Sequence, residues 1–167
     1  TYTPNELSTW NNNVTGGEPT VVDNSAVELG VKFRSATAGY ITGIRFYKRT
    51  ANTGTHTGSL WSVTGTLLAT VTFTAESASG WQQAKFSNPV HIDANTTYVA
   101  SYFAPNGQYA FTANAFQSSG ITNGPLTLLQ SGSEGPNGVY KYNSSSVFPN
   151  DSYNHANYWV DVLFVPE

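Results

Sequence analysis

The side chains that could carry catalysis are widely spaced in this chain. Its ten acidic residues lie at positions 6, 18, 23, 28, 76, 93, 134, 151, 161 and 167. Glycoside hydrolysis needs two carboxyl groups roughly 5–10 Å apart across a cleft, and the spacing singles out no such pair. No GxSxG motif marks a nucleophilic serine. We therefore predict a protein without catalytic machinery; a small hydrolase would need two carboxylates or a Ser-His pair that converge in a pocket.

Metal-binding signals are limited to oxygen-rich loops. The three histidines, at positions 56, 91 and 155, have no HxH or HxxxH spacing, and the absence of cysteine excludes thiolate-bound zinc. Calcium prefers the carboxylate, amide and carbonyl oxygens that the loops VVDNSAVE (21–28) and FPNDSYN (148–154) contain. Asp23, Glu28 and Asp151 are the candidate ligands of a structural Ca²⁺, although neither loop matches an EF-hand.

Composition narrows the class of partner. Charged residues make up 10% of the chain, about a quarter being usual, and the net charge is −3 without a Lys/Arg cluster. This balance argues against nucleic acid binding and against attachment to a membrane surface. Aromatic residues reach 14%, more than a core usually needs, so some should be exposed. Such a composition is typical of secreted bacterial modules that work on polysaccharides, and we expect an extracellular protein.

One candidate sugar-binding patch lies on predicted strands. Alternation places Arg45 and Tyr47 on the face opposite Phe46, where they could form a platform with a guanidinium donor. In GTHTGSLW (54–61), Leu60 and Trp61 lie on opposite faces, so one of them should point outward. The complete patch comprises Arg45, Tyr47, Lys48, His56 and Trp61. Two structural alternatives stay open: Arg45 pairs with a carboxylate, or Trp61 packs in a second core under a loop.

A second candidate patch lies in the loops of the C-terminal half. Between residues 104 and 157, asparagine residues alternate with aromatic residues, a combination that offers hydrogen-bond donors beside ring faces. The candidate ligand-binding residues here are Tyr109, Tyr140, Tyr142, Tyr153 and Trp159. The alternative is that asparagine serves turns and tyrosine packs loops.

On the face of Trp159, Asp161 needs a partner, which Arg45, Lys32 or Lys48 could supply.

Short apolar runs between turn clusters predict an all-β fold. The predicted strands are Val27–Phe33, Gly39–Tyr47, Gly58–Val63, Leu67–Thr74, Ala84–Phe86, Thr97–Phe103 and Tyr158–Val165. No stretch of 12 residues keeps a helical apolar stripe. We predict one module, residues 1–167, built as an antiparallel two-sheet β-sandwich of jelly-roll or Ig-like type with long loops in its C-terminal half. A closed barrel is the alternative.

Three segments carry a resemblance to a known family. They are IRFYKRTANTGTHTGSLWSVTGTLLATVTF (44–73), GWQQAKFSNPVHIDANTTYVASYFAPNGQYA (80–110), and NYWVDVLF (157–164) preceded by NGVYKY (137–142). The chain resembles an uncharacterised bacterial module family, a domain of unknown function, over about Ala26 to Val165. That family occurs in large secreted proteins beside Ig-like and carbohydrate-active modules. The resemblance implies the fold and secretion, and it transfers no catalytic residue.

The sequence therefore favours a non-catalytic carbohydrate-binding module with a polysaccharide as partner. We expect a monomeric part of a larger multi-modular secreted chain, such as a glycoside hydrolase, a polysaccharide lyase or a surface protein. The opening TYTPNELSTW is not an export signal and no apolar run of 18 residues occurs, so we expect a mature fragment. The alternative function is a calcium-stabilised structural or adhesin spacer that binds no sugar.

Overall fold

The computed structural model describes residues 6–16 and 22–167, which form two packed antiparallel sheets rather than a closed barrel. This confirms the predicted β-sandwich. The strands are β1 (Val27–Ser35), β2 (Gly39–Lys48), β3 (Thr57–Ser62), β4 (Leu67–Thr72), β5 (Gly80–Ile92), β6 (Tyr98–Ala104), β7 (Ile121–Asn123), β8 (Leu126–Leu128), β9 (Val139–Tyr142), β10 (Asp151–Ser152) and β11 (Val160–Pro166). The described residues include no helix long and apolar enough to cross a bilayer.

The two sheets differ in width. The larger has the order β10-β9-β1-β6-β3-β4, with β8 also beside β1 and β7 beside β8; the smaller has the order β11-β2-β5. One edge of β1 pairs with β6. Along its other edge, the first residues of β1 pair with β9 and the last residues pair with β8. The smaller sheet packs on β1, β6, β3 and β4. Strands β9 and β10 therefore extend past it at one side of the sandwich.

Side-chain alternation builds the core between the sheets. Val27, Leu29, Val31 and Phe33 of β1 are all at most 2% exposed and face inward. The smaller sheet contributes two further inward sets, Ile41, Ile44 and Phe46 from β2 and Val160, Val162 and Phe164 from β11. The ring of Phe46 stacks on that of Tyr102 with centroids 4.1 Å apart. The inward faces expected from the alternation of β2 and β11 are confirmed.

Both outer faces of the sandwich are partly covered by chain without regular structure. On the larger sheet, Phe148 packs against a second small core of Trp61, Val99 and Val139. On the smaller sheet, Leu7 forms an antiparallel bridge with β11, and the segment 8–12 continues across that face. Side chains on these outer faces can therefore be as fully buried as those of the main core.

The predicted strands match the observed ones closely except in two places. Strand β5 runs over 13 residues where the sequence predicts only Ala84–Phe86. Its glutamine, asparagine and proline residues hide the alternation, although buried and exposed side chains alternate from Gln82 to Ser87. The region 104–157 also holds four short strands, β7 to β10, that the sequence does not predict. They are two to four residues long and are ordered by pairing with β1 and with one another.

Candidate functional site

A cavity of about 520 Å³ opens at the side where β9 and β10 extend past the smaller sheet. Aromatic residues dominate its wall, and a single carboxylate lies among the described residues that form it. The lining residues are Val22, Asp23, Tyr109, Phe111, Tyr140, Tyr142, Tyr153 and Tyr158. We call this the tyrosine cavity.

Strand β9 supplies two walls of the tyrosine cavity. Leu29 pairs with Tyr140 and Val27 with Tyr142, so both tyrosine rings lie on the face of the sheet that continues from the main core. The smaller sheet does not extend over them. Their rings therefore face loop residues and solvent, and Tyr142 stays 49% exposed.

The opposite wall comes from two loop segments that are joined to each other. Thr112 and Asn157 exchange backbone hydrogen bonds of 3.0 and 2.9 Å, which places Phe111 and Tyr158 side by side, ring centroids 5.9 Å apart. Gly138, in the turn before β9, has φ +63° and lies so close to Ala156 that a Cβ would meet its carbonyl oxygen at 1.9 Å. The turn thus holds the segment of Tyr158 against β9.

Asp23 is fixed at the cavity wall by hydrogen bonds from several directions. Its Oδ1 accepts from the backbone N–H of Ser25 at 3.0 Å, and its Oδ2 accepts from the hydroxyls of Tyr142 and Tyr109. Burial alone would raise the pKa of Asp23, but these hydrogen bonds outweigh it and lower the pKa below its ordinary value. The carboxylate is therefore ionised at neutral and mildly acidic pH.

Three phenol groups of the cavity, those of Tyr109, Tyr142 and Tyr158, have a raised pKa and stay neutral. Burial raises the pKa of Tyr109 and of Tyr158 well above the ordinary value. The hydrogen bond to Asp23 is the first cause that raises the pKa of Tyr142. The cavity therefore offers hydroxyl groups as donors and acceptors, ring faces, and one fixed negative charge.

Three pairs of these rings meet at steep angles, and a fourth pair, Phe111 and Tyr158, is tilted at 43°. Tyr140 makes 73° with Tyr142 and 72° with Tyr158, and Tyr109 makes 79° with Tyr158, at centroid distances of 5.6, 6.3 and 5.6 Å. Edge-to-face pairs of this kind are favourable ring contacts. They enclose space from several sides, unlike coplanar rings, which make a flat platform.

The structure places four of the predicted sugar-binding residues in this cavity, together with Asp23, which was predicted as a calcium ligand. Tyr109, Tyr140, Tyr142 and Tyr153 line it together, and Tyr153 is the most exposed of them, at 58%. Trp159 is elsewhere: its ring packs on Trp10 at 4.9 Å and its Nε1 donates to Thr112 Oγ1 at 3.1 Å.

The first predicted patch does not form an exposed platform, and of the two alternatives for Trp61 the structure excludes the displayed ring. Trp61 is 7% exposed, because the ring of Phe148 covers it at a centroid distance of 5.5 Å. Its Nε1 donates to Ser101 Oγ at 2.8 Å. The alternative of a second core under a loop is the correct description.

The charged members of that patch are buried in ion pairs. Arg45 is 2% exposed; it bonds Asp161 at 3.0 Å and lies over the ring of Trp81 at 4.2 Å. Of the partners predicted for Asp161, the structure selects Arg45. A guanidinium so enclosed cannot serve as a donor to a sugar on the surface.

Lys48 and His56 share one carboxylate inside the protein. Lys48 Nζ lies 3.2 Å and His56 Nδ1 lies 2.7 Å from Glu76 Oε1, and both residues are buried. Burial is the first cause that lowers the pKa of His56. Tyr47 alone of the patch is partly exposed, with its ring edge-to-face on Trp81 at 5.5 Å.

The candidate calcium ligands lie in different surroundings. Asp23 binds the tyrosines of the cavity, and Asp151 is exposed on β10. Glu28 is fully buried under Ser146, whose hydroxyl donates to it at 2.7 Å, and burial raises its pKa to about 7. Within the part of the chain that the structure describes, which leaves out Val21 of the first predicted loop, no three acidic or histidine side chains form a metal-binding group.

Sequence reasoning missed three lining residues and one association. Val22 and Phe111 carry no ligand-binding signal, and alternation puts Tyr158 on the inward face of the predicted strand Tyr158–Val165. The composition of its loop predicts Asp23 as a calcium ligand and does not associate it with the tyrosines. The detectable signal was the VYKY alternation, which puts Tyr140 and Tyr142 on one face of a strand. Its pairing with a loop 119 residues away has no local signature.

A comparison with protein families finds a match over most of the chain. The model of a family described as "Domain of unknown function (DUF4082)" matches residues 13–160. The chain therefore belongs to that family. No curated protein matches the sequence.

Proposed function

We propose that this member of the DUF4082 family is a non-catalytic carbohydrate-binding module and that the tyrosine cavity holds the sugar. The observation that carries the proposal is the cavity itself: five tyrosines and a phenylalanine surround a space of about 520 Å³ beside one fixed carboxylate. A volume of this size suits a small ligand or one or two units of a chain.

The chemistry of the wall matches that of a sugar. Ring faces can pack on the apolar C–H face of a pyranose, while hydroxyl groups and the Asp23 carboxylate bond to its hydroxyls. Tyr142 and Tyr153 are 49% and 58% exposed and stand at the rim. They are the rings that a ligand reaches first.

The shape favours a single flexible chain over a crystalline surface. Neighbouring rings stand at 43° to 79° to one another, so they cannot lie flat together against a planar sheet of polysaccharide. They can enclose one sugar unit from two or three sides. We therefore propose that the module binds a soluble polysaccharide chain or the end of such a chain.

The acid content of the cavity supports binding without hydrolysis. Among the described lining residues Asp23 is the sole acid, whereas hydrolysis of a glycosidic bond needs an acid and a second carboxylate. The lowered pKa of Asp23 also makes it a poor proton donor. We place the module in a larger secreted chain, beside Ig-like or carbohydrate-active modules; the low charge and high hydroxyl and aromatic content support this placement.

Affinity electrophoresis tests the proposal. The purified domain runs through gels that hold cellulose derivatives, xylan, mannan, xanthan, pectin or chitosan, with and without calcium. We expect retardation by at least one polymer, and Tyr153→Ala should weaken binding about three- to tenfold. Tyr40→Ala is the matched control, because Tyr40 is 39% exposed on β2 and contacts His91 instead.

Two results would contradict the proposal. Free migration in every gel would favour the alternative function, a structural spacer that binds no sugar. A rise of the melting temperature with calcium would then show that the ion stabilises this spacer. Retardation that Tyr40→Ala abolishes and Tyr153→Ala leaves unchanged would place the sugar on another surface.

A further inference from the structure

We infer that the tyrosine cavity selects a sugar that carries a protonated amine, as in a glucosamine chain. The inference rests on the proposed function and names its ligand class. It combines two features of one site, a fixed negative charge and a cage of aromatic rings.

The charge of the cavity comes from Asp23. No lysine, arginine or histidine stands among the described residues that line it. The nearest lysine in β9, Lys141, projects from the other face of that strand and bonds Asn150 at 3.0 Å. A ligand in the cavity therefore meets an uncompensated carboxylate, which favours a cation and repels uronic acids or sulfated sugars.

The rings add a second attraction for a cation. The π-face of an aromatic ring carries negative potential, and cages of such rings bind ammonium groups. In the tyrosine cavity, Tyr142 and Tyr153 stay 49% and 58% exposed, and Tyr140 lies beside Tyr142 at a centroid distance of 5.6 Å. An ammonium group inside can approach several ring faces while it pairs with Asp23.

Asp23 is held in place before any ligand arrives. Its backbone oxygen accepts from Gln108 N at 2.7 Å, and Gly107 packs so closely that a Cβ would lie 2.0 Å from that oxygen. Its carboxylate is bonded to Ser25 and to two tyrosines. Because the loop that carries this carboxylate is already ordered, binding costs little of its conformational entropy. The attraction between the charge and a cation therefore contributes to affinity and selectivity with little loss.

Three β-1,4-linked oligomers of equal length provide the test, because their units differ only at C2: glucosamine, N-acetylglucosamine and glucose. Isothermal titration at mildly acidic pH and low salt measures each Kd. We expect the glucosamine oligomer to bind at least about tenfold more tightly than the other two. Raising the salt concentration should reduce this preference.

Asp23→Asn separates charge from shape. The amide keeps the shape of the carboxylate without its charge: its oxygen can accept from the backbone N–H of Ser25, and its NH2 group can donate to the hydroxyl of Tyr142. The preference for glucosamine should therefore fall below about threefold while glucose-oligomer affinity changes less than about twofold. Asp93→Asn is the control for net charge, because Asp93 is 76% exposed and pairs with His91 on the other side of the fold. It should leave the preference intact.

The outcomes distinguish the two proposals. Equal binding of all three oligomers would overturn the inference and leave the carbohydrate-binding function standing. If the protein binds neither these oligomers nor any other glycan, both proposals are overturned. Binding of tetramethylammonium without any oligomer would also overturn the amino-sugar assignment, since the cage would then take a free ammonium ion.

Discussion

The hydroxyl group of Tyr142 donates a hydrogen bond to Oδ2 of Asp23, across 119 residues of sequence. The bond joins the loop that precedes β1 to the end of β9, at the side where the larger sheet extends past the smaller. It therefore positions the Asp23 carboxylate in the tyrosine cavity and keeps the Tyr142 ring at the rim.

Tyr142→Phe should raise the pKa of Asp23 toward its ordinary value, because that hydroxyl stabilises the ionised carboxylate. Titration of the side-chain carboxyl carbon by NMR measures the shift. Because the pKa of Asp23 is lower in the folded than in the unfolded protein, its ionised form stabilises the fold at pH values above the unfolded pKa. This stability is lost as the pH falls through the folded pKa. The variant, whose Asp23 pKa is less lowered, should therefore lose less stability on acidification. Tyr140→Phe leaves the bond intact and should titrate as the wild type.

Glu28→Gln should stabilise the protein at neutral and alkaline pH. The folded pKa of Glu28 is raised from 4.5 to about 7, so its contribution to stability is fully present below pH 4.5 and decreases as pH rises to about 7. The loss amounts to at most about 3 kcal/mol. Urea unfolding from pH 4 to 8.5 checks this, with exposed Asp93→Asn as control; an unchanged pH profile in Glu28→Gln would contradict the assignment.

Trp61→Ala should destabilise the domain by about 3–5 kcal/mol, since it empties a covered site and leaves Ser101 without its indole donor. Thermal or urea unfolding measures the loss. Folded Trp61→Ala protein should keep its sugar affinity because the indole lies outside the tyrosine cavity. A stable variant that loses sugar binding would instead mark Trp61 as part of a surface site.

Asp161→Asn should cost about 3–5 kcal/mol, because Arg45 would remain buried beside a neutral group. Asp161 also accepts from the backbone N–H groups of Thr9 and Trp10, each at 3.0 Å. Arg45→Met combined with Asp161→Asn should recover part of the loss, as measured by a double-mutant cycle in urea. Additive losses would show that the two charges do not act as a pair.

Gly107→Ala should weaken sugar binding by displacing Asp23. Gly107 has φ +63° and no room for a Cβ beside the Asp23 carbonyl, so the substitution combines backbone strain with a clash. Gly132→Ala is the matched control, since Gly132 has φ +101° and nothing within 4 Å of an added Cβ. Both variants should lose stability, and only Gly107→Ala should lose affinity.

Much of the fold could be predicted because strand alternation is a local property. The pattern of Ile44, Phe46, Val162 and Phe164 identifies the inward faces without knowledge of the partner strands. The aromatic residues of the 104–157 region likewise mark it as the place for a ligand. The short strands β7 to β10 escape such reasoning, since they are ordered by pairing rather than by their own two to four residues.

By itself, the sequence determined the fold class, the inward faces and the group of loop tyrosines, because each follows from residue types at short spacing. Only the tertiary structure decided between the two candidate patches. Alternation shows the side of a strand on which Arg45 or Trp61 lies, but not whether that side is covered. The cover comes from residues 6–12 and from Phe148, segments without periodicity whose positions depend on long-range contacts. The same long-range contacts bring Asp23 to Tyr142, so one carboxylate became part of the cavity while Arg45 became part of the core.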